Sequence, residues 1–290
     1  MKNFPGKRMV AEVLTVAFAA ANELFGGEEV VQRGAAFGDM ENDTEIKADK
    51  EIGEALLKYL SNPLFGIRHI SIEGMPDYEV DGAAGSVWAC VDPLDGSLNY
   101  QMKGDTIGLP YSTCITILSK KEGARFSDII AAGVVDLRTG DAWAAWIDGK
   151  GKKHSTINGN PAKPEKRELD LGSMIVIGEM YYFENRGKLV RIFQGTKGWL
   201  RNPGSAAYEM ALVASGNVGA YICDRQKQHE LGAAYVLVTW AGGMATDFKG
   251  KDLGEREFHF NAQTPVILAG NQKILANILY RMKNATEGEA

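Results

Sequence analysis

The sequence predicts a layered protein of mixed helices and strands, and three observations carry that expectation. An apolar stripe at helical spacing opens the chain, short β-rich runs fill residues 68–146, and beyond them strand-like and helix-like segments alternate. Residues 8–26 read as an amphipathic helix: Val10, Val13, Leu14, Ala17, Ala21, Leu24 and Phe25 recur at helical spacing, and Gly26-Gly27 ends them. Lys2, Lys7 and Arg8 ahead of the apolar stretch imitate a signal peptide, but Glu12 interrupts that stretch and the spacing favours a helix. A second helix is expected from Glu45 to Leu60, capped by Asp43 or Thr44, with Ile46, Ile52, Leu56, Leu57 and Leu60 as its stripe. Strands are expected at Arg68–Ile72, Ser86–Val91, Ser112–Leu118, Ala131–Leu137 and Ala142–Trp146, and Asp148-Gly149-Lys150-Gly151 reads as a hairpin turn. In the second half, Met174–Ile177 and Gly219–Cys223 read as strands. Ser205–Ala214, Leu231–Trp240 and Gln272–Arg281 read as helices, the middle one ended by Gly242-Gly243.

The chain has 290 residues, 45% hydrophobic and 24% charged, with a net charge of -5. That balance excludes a disordered, collagen-like or coiled-coil chain. No run approaches the roughly 20 apolar residues that a membrane-spanning helix needs. The acidic balance argues against a nucleic-acid partner. Cys90, Cys114 and Cys223 are far apart without CxxC spacing, which points to a reducing, cytoplasmic location rather than to disulfides or zinc. At roughly 150 residues per domain the length allows two units. The expected division is residues 1–138 and 139–290.

The stretch from Val87 to Tyr100 carries the chemistry. A buried apolar strand runs into Asp92-Pro93-Leu94-Asp95-Gly96-Ser97. Pro93 fixes φ after the first carboxylate and Gly96 lets the backbone turn before Ser97. Two Asp side chains at a strand's end suit a hard divalent cation, with the Leu94 carbonyl as a further ligand. The Gly96 and Ser97 amides would then face an anion at a helix start. A plain Asp-Pro/Asp-Gly turn accounts for the same residues. Asp49 lies three residues from both Ile46 and Ile52, on the apolar face of its helix, and an acid there needs a partner. A salt bridge to Lys47 or Lys50 is the simpler account, but those two point to other faces. His229-Glu230 opens a helix that is apolar on nearly every side, so Glu230 is either an acid at the mouth of a buried helix or a helix-start Glu. Arg201-Asn202-Pro203-Gly204-Ser205-Ala206-Ala207 is a loop entering a helix; Arg201, Gly204 and Ser205 can hold a phosphate there, or the loop is simply tight.

Together these segments resemble the inositol monophosphatase family of metal-dependent, often lithium-sensitive phosphatases. Asp92 to Ser97 is similar to its Asp-Pro-Ile/Leu-Asp-Gly-Thr/Ser motif. Glu230 to Ala234, with Ala241-Gly242-Gly243, is similar to the second motif, Thr44 to Asp49 to the Thr-x-x-Asp segment, and Arg201 to Ala207 to the Arg-x-x-Gly-Ser/Thr-Ala-Ala loop. The order and spacing agree from about residue 10 to 275.

The resemblance implies an α+β layered αβαβα sandwich (the sugar-phosphatase fold), a homodimer, and Mg2+-dependent hydrolysis of a small phosphate monoester. Mn2+ is the other candidate ion and inhibition by Li+ a further expectation. It implies that Asp92 bridges two metals, that the Leu94 carbonyl, Asp95 and Glu230 are further ligands, and that Ser97 and Asp49 deprotonate the attacking water. The Gly96 and Ser97 amides would hold phosphate. Three departures stand out. Ile72 occupies a ligand position usually held by Glu, so either a small backbone shift brings Glu73 to the metal, as ligand and catalytic residue, or that position lacks a carboxylate. His229-Glu230 replaces Trp-Asp. Cys223 and Asp224 stand where inositol phosphatases place an acid near the substrate ring. A sugar phosphate, bisphosphate or nucleotide phosphate is therefore a candidate beside inositol phosphate, with Arg201, Arg225 and Lys227 available to a second phosphate. The alternative is a catalytically impaired member that binds metal or a phosphorylated ligand as a regulatory or structural dimer.

Overall fold

Two β-sheets and three pairs of helices stack in five layers in the computed structural model of the chain, which describes residues 5–24, 47–83, 85–102, 108–167, 174–179, 186–194 and 199–287. Helices α1 (Gly6–Leu24) and α2 (Lys47–Leu60) form the first layer. The second is an eight-stranded sheet, in spatial order β2 (Tyr78–Glu79), β1 (Ile67–Ile72), β3 (Val87–Asp95), β4 (Ser112–Leu118), β5 (Ile129–Asp136), β6 (Ala142–Ile147), β7 (Lys153–Ile157) and β8 (Asn160–Pro161). A short helix, α3 (Ser97–Met102), follows β3. Helices α5 (Ala206–Ser215) and α6 (Gln228–Trp240) make the central layer. The second sheet runs β10 (Trp199–Arg201), β9 (Ile175–Gly178), β11 (Ala220–Lys227), β13 (Gln263–Ala269) and β12 (Met244–Thr246). Its outer face is covered by α4 (Arg186–Phe193) and α7 (Gln272–Glu287). This is the αβαβα sandwich that the family resemblance implies.

Each gap between layers is an apolar core. Met9, Val10, Val13, Leu14, Ala17 and Ala21 of α1 lie on the first sheet with Ile52, Leu56 and Leu60 of α2. The second core holds α5 and α6 between the two sheets, and the third joins β9, β11 and β13 to α4 and α7. Helix α6 touches sheets on both sides, which explains a sequence apolar all round. It approaches β4 so closely that a Cβ on Gly232 would stand 2.7 Å from Thr116 Oγ1.

The expected elements are present with small boundary shifts. The Asp148–Gly151 turn joins β6 to β7, with the Asp148 carboxylate accepting from the amides of Lys150 and Lys152 at 2.9 Å each. Phe25, Gly26-Gly27, Asp43, Thr44, Glu45 and Ile46 lie outside the described residues. Residue 138 lies in the turn between β5 and β6, so the division expected there separates neighbouring strands of one sheet. The chain leaves the first sheet after residue 161 and enters the second at residue 175. All three cysteines are buried thiols. Among the described residues no helix is long and apolar enough to cross a membrane.

Candidate metal centre and active site

Strand alternation decides between Ile72 and Glu73. β1 and β3 are parallel, with Ile72 opposite Val91, and the Glu73 amide donates to the Val91 carbonyl at 3.0 Å, continuing the ladder. Successive side chains face opposite ways. Ile72 and Val91 therefore enter the core under α2, while Glu73 and Asp92 face α6. Glu73 follows the last residue of β1, and Asp92 lies in the carboxyl-terminal half of β3.

The next residues of β3 bend. Asp92 pairs with Cys114 and Asp95 with Ser112, so Pro93 and Leu94 together face the single Thr113 of β4. Pro93 has no amide to give the ladder, and the bulge returns Asp95 to the face that Asp92 occupies. Gly96 then turns with φ 87°, and a Cβ there would lie 3.0 Å from both the Pro110 carbonyl and Ser205 Cβ. Only glycine suits that position on both counts.

From the other side, β11 ends at Lys227 and α6 begins, placing His229 and Glu230 in its first turn. One atom from each of Glu73, Asp92, His229 and Glu230 lies within 4.8 Å of the others. Lys227 Nζ donates to Glu73 Oε1 at 2.7 Å, and His229 Nε2 is 3.2 Å from Glu73 Oε2. Burial raises the Asp92 carboxyl well above its usual range, and the charges of Glu73, Asp95 and Glu230 push it further. Burial does the same to Glu230, reinforced chiefly by Asp95. Burial also works to raise Glu73, but the positive charges of His229 and Lys227 and the Lys227 hydrogen bond outweigh it and hold that carboxyl well below its usual range. Two buried acids repelling a third is an arrangement that a divalent cation reverses. The donor set, three carboxylates and an imidazole, fits such an ion.

A pH dependence follows. Because Asp92 and Glu230 have raised folded-state pKa values, their ionisation costs stability that the metal-free protein holds at low pH and loses as pH rises through those values. Glu73, lowered, loses its contribution only as pH falls below the unfolded carboxylate range. The rise in Tm on adding saturating Mg2+ is therefore expected to be larger at about pH 8 than at about pH 5, by calorimetry. An equal rise at both would contradict this electrostatic account.

A second group joins the first through Leu94, whose amide donates to Asp92 Oδ1 at 3.0 Å. Ser97 Oγ donates to the Leu94 carbonyl at 2.9 Å and stands 3.5 Å from both carboxylate oxygens of Asp49. The expected Asp49, Ser97 and Leu94 carbonyl are thus together.

The remaining expected residues are arranged differently. The Asp95 carboxylate accepts from Ser205 Oγ (2.6 Å), Ser112 Oγ (3.1 Å) and the amides of Ala206 (3.1 Å) and Ala207 (2.8 Å), which fills a carboxylate's four acceptor positions. It clamps β3 to the start of α5, outside the four-residue group. Burial still raises its carboxyl, against those four bonds. The Gly204 and Ser205 amides, expected to face phosphate, both donate to Glu209 Oε1, at 2.5 and 3.2 Å. Arg201 is exposed, with its guanidinium 5.3 Å from the centre of the Trp199 ring and a bond to the Leu200 carbonyl, and the structure does not bring it to the carboxylates. Lys227, considered for a second phosphate, holds Glu73 instead.

Three residues of the site escape the sequence reading as ligands or supports. His229 is one, and its signal is a His beside an acid where a strand meets a helix. The others are Gln226, which donates to Glu230 Oε2, and Tyr221, which donates to Gln226 Oε1 at 2.5 Å.

Known proteins resemble the chain in sequence and in fold. The sequence model of the inositol monophosphatase family matches residues 7–285. The chain is 27% identical over 240 residues to the inositol-1-monophosphatase of Bacillus subtilis, covering 80% of this chain and 81% of that protein. It is 25% identical over 248 residues to the Nus factor SuhB of Pseudomonas aeruginosa, covering 83% and 82%. The structure of the IMPase of Thermotoga maritima superimposes with a TM-score of 0.74 at 19% identity over 96% of this chain and 97% of that one, which shows the shared fold.

Proposed function

Since the chain belongs to the inositol monophosphatase family and is with it a phosphoric monoester hydrolase, we propose that it releases phosphate from a small sugar, polyol or inositol phosphate with a divalent cation, Mg2+ or Mn2+. The observation that carries this reading is the convergence of Glu73, Asp92, Glu230 and His229, joined through Leu94 to the Asp49–Ser97 pair. A divalent cation bound there supplies charge that acidifies a water and offsets charge on the transferring phosphoryl group.

The chain's own residues do the rest. Glu73, Asp92 and Glu230 hold the cation, with the Leu94 carbonyl at the edge of the site. Asp49 takes the proton of the attacking water, and Ser97, anchored on Leu94, orients it. The Gly96 and Ser97 amides, which open α3 without helical partners, hold phosphate oxygens. Asp95 positions α5 rather than the ion. Family membership also supports, as parts of this proposal, a homodimer, a cytoplasmic location and inhibition by Li+.

Asp49→Asn tests the assignment. It should lower kcat by about 100-fold while leaving cation affinity nearly unchanged, because general-base removal costs about that much. Steady-state kinetics with calorimetric titration of Mg2+ would show it, and an unchanged kcat would remove Asp49 from the mechanism. The non-catalytic, regulatory reading rests on Ile72 and Glu230 at ligand positions. The place of Glu73 in the cluster favours catalysis instead.

A further inference from the structure

We infer that His229 is a nitrogen ligand of the cation, which makes the site a mixed nitrogen–oxygen centre that prefers a transition ion such as Mn2+ to Mg2+. The inference deepens the proposed function and rests on its cation site.

The imidazole is fixed in one orientation. It is buried, its ring lies 4.7 Å from that of Phe260 at 33°, and Nδ1 is 2.8 Å from the Phe260 carbonyl. A carbonyl only accepts, so Nδ1 carries the hydrogen and, in the neutral ring, Nε2 carries the lone pair. Nε2 is buried without a directed hydrogen bond and is aimed into the acid cluster, 3.2 Å from Glu73 Oε2 and 3.9 Å from Glu230 Oε1.

The same pattern repeats around the centre. One atom of each side chain is anchored outward and another is left for the middle. His229 Nδ1 is held by Phe260, Glu73 Oε1 by Lys227, Glu230 Oε2 by Gln226 and Asp92 Oδ1 by the Leu94 amide. Outer partners of this kind orient metal ligands and set the imidazole tautomer. Four anchored side chains, one offering nitrogen, describe a coordination shell more fully than an acid cluster with a counter-charge. Mg2+ takes oxygen ligands in near-ideal octahedra, whereas imidazole suits later divalent ions, whose affinities rise along the transition series.

The test uses the full chain. Mn2+ is bound to wild-type protein containing ordinary or 15N-labelled histidine, and electron spin-echo modulation is recorded. Mn2+ and Mg2+ affinities are measured by calorimetry for wild type, His229→Phe and His229→Gln, each checked for folding by circular dichroism. The expected result is nitrogen modulation that changes with the label, and a Mn2+-over-Mg2+ preference that falls by about tenfold or more in both variants. Mn2+ binding without histidine modulation, at an unchanged preference, would overturn the inference and leave the cation site standing, with His229 as a counter-charge. Failure of folded wild type to bind either ion would overturn the site and the inference together. The labelled wild-type arm decides the question even where a variant does not fold.

Discussion

Asp92→Asn is expected to lower kcat/KM by about 10³-fold or more, since the cation supplies several kcal/mol of transition-state stabilisation and each 1.4 kcal/mol is tenfold. Asp92 sits where β1, β3 and α6 meet, among three other ligand-capable side chains. Burial and its neighbours' charges oppose its ionisation. The Asn amide keeps the shape and removes the charge. The metal-free variant should therefore be as stable as wild type near neutral pH or more so, while cation affinity collapses. Kinetics, Mg2+ titration and calorimetry on the same preparation would show activity and stability moving in opposite directions. Retained turnover would take Asp92 out of the chemistry.

Asp95→Ala is expected to act with the opposite sign on stability. Its carboxylate accepts four hydrogen bonds, two from the first amides of α5 and two from the buried hydroxyls of Ser112 and Ser205. Truncation leaves the Ala206 and Ala207 amides unsatisfied at a helix start and the two hydroxyls with only each other, 3.1 Å apart, which should cost about 3 kcal/mol. The metal-free protein should lose about 5–10 °C in Tm. Activity should fall too, because α5 no longer holds the loop that packs on Gly96. If Asp95 served only as a metal ligand, its removal would instead relieve a buried charge and raise the metal-free Tm, as at Asp92. Calorimetry of the two variants side by side therefore separates the two roles.

The layering is legible in the sequence because the strongest patterns belong to its best-buried elements. The apolar runs of β3, β4 and β5 and the all-apolar α6 lie between helices or sheets. What escapes is weaker in pattern. β7 reads Lys-His-Ser-Thr-Ile, β10 and β12 have three residues each, and β13 carries Pro265. Within the site, the Asp-Pro-Leu-Asp-Gly-Ser turn announces itself, since each residue type has a backbone reason to be there. Whether Glu73 or Ile72 faces the centre depends on the register of β1 against β3, which one strand alone does not reveal. The loop from Arg201 to Ala207 is misleading for a physical reason. A helix start offers amides to an anion, but here Glu209, four residues past Ser205, reaches back and takes them. His229 becomes a ligand candidate only when Phe260, 31 residues away, fixes its ring.

On the proposed function, this carboxylate-lined centre binds a divalent cation and uses it to hydrolyse a phosphate monoester. The most direct measurement is phosphate release from a panel of inositol, sugar and nucleotide phosphates by purified protein, before chelation, after it and with Mg2+ or Mn2+ restored. At least one member is expected to be turned over, with activity that disappears on chelation and returns with the ion. Turnover indifferent to chelation, or none on any member by folded protein that has its ions, would contradict the proposed function.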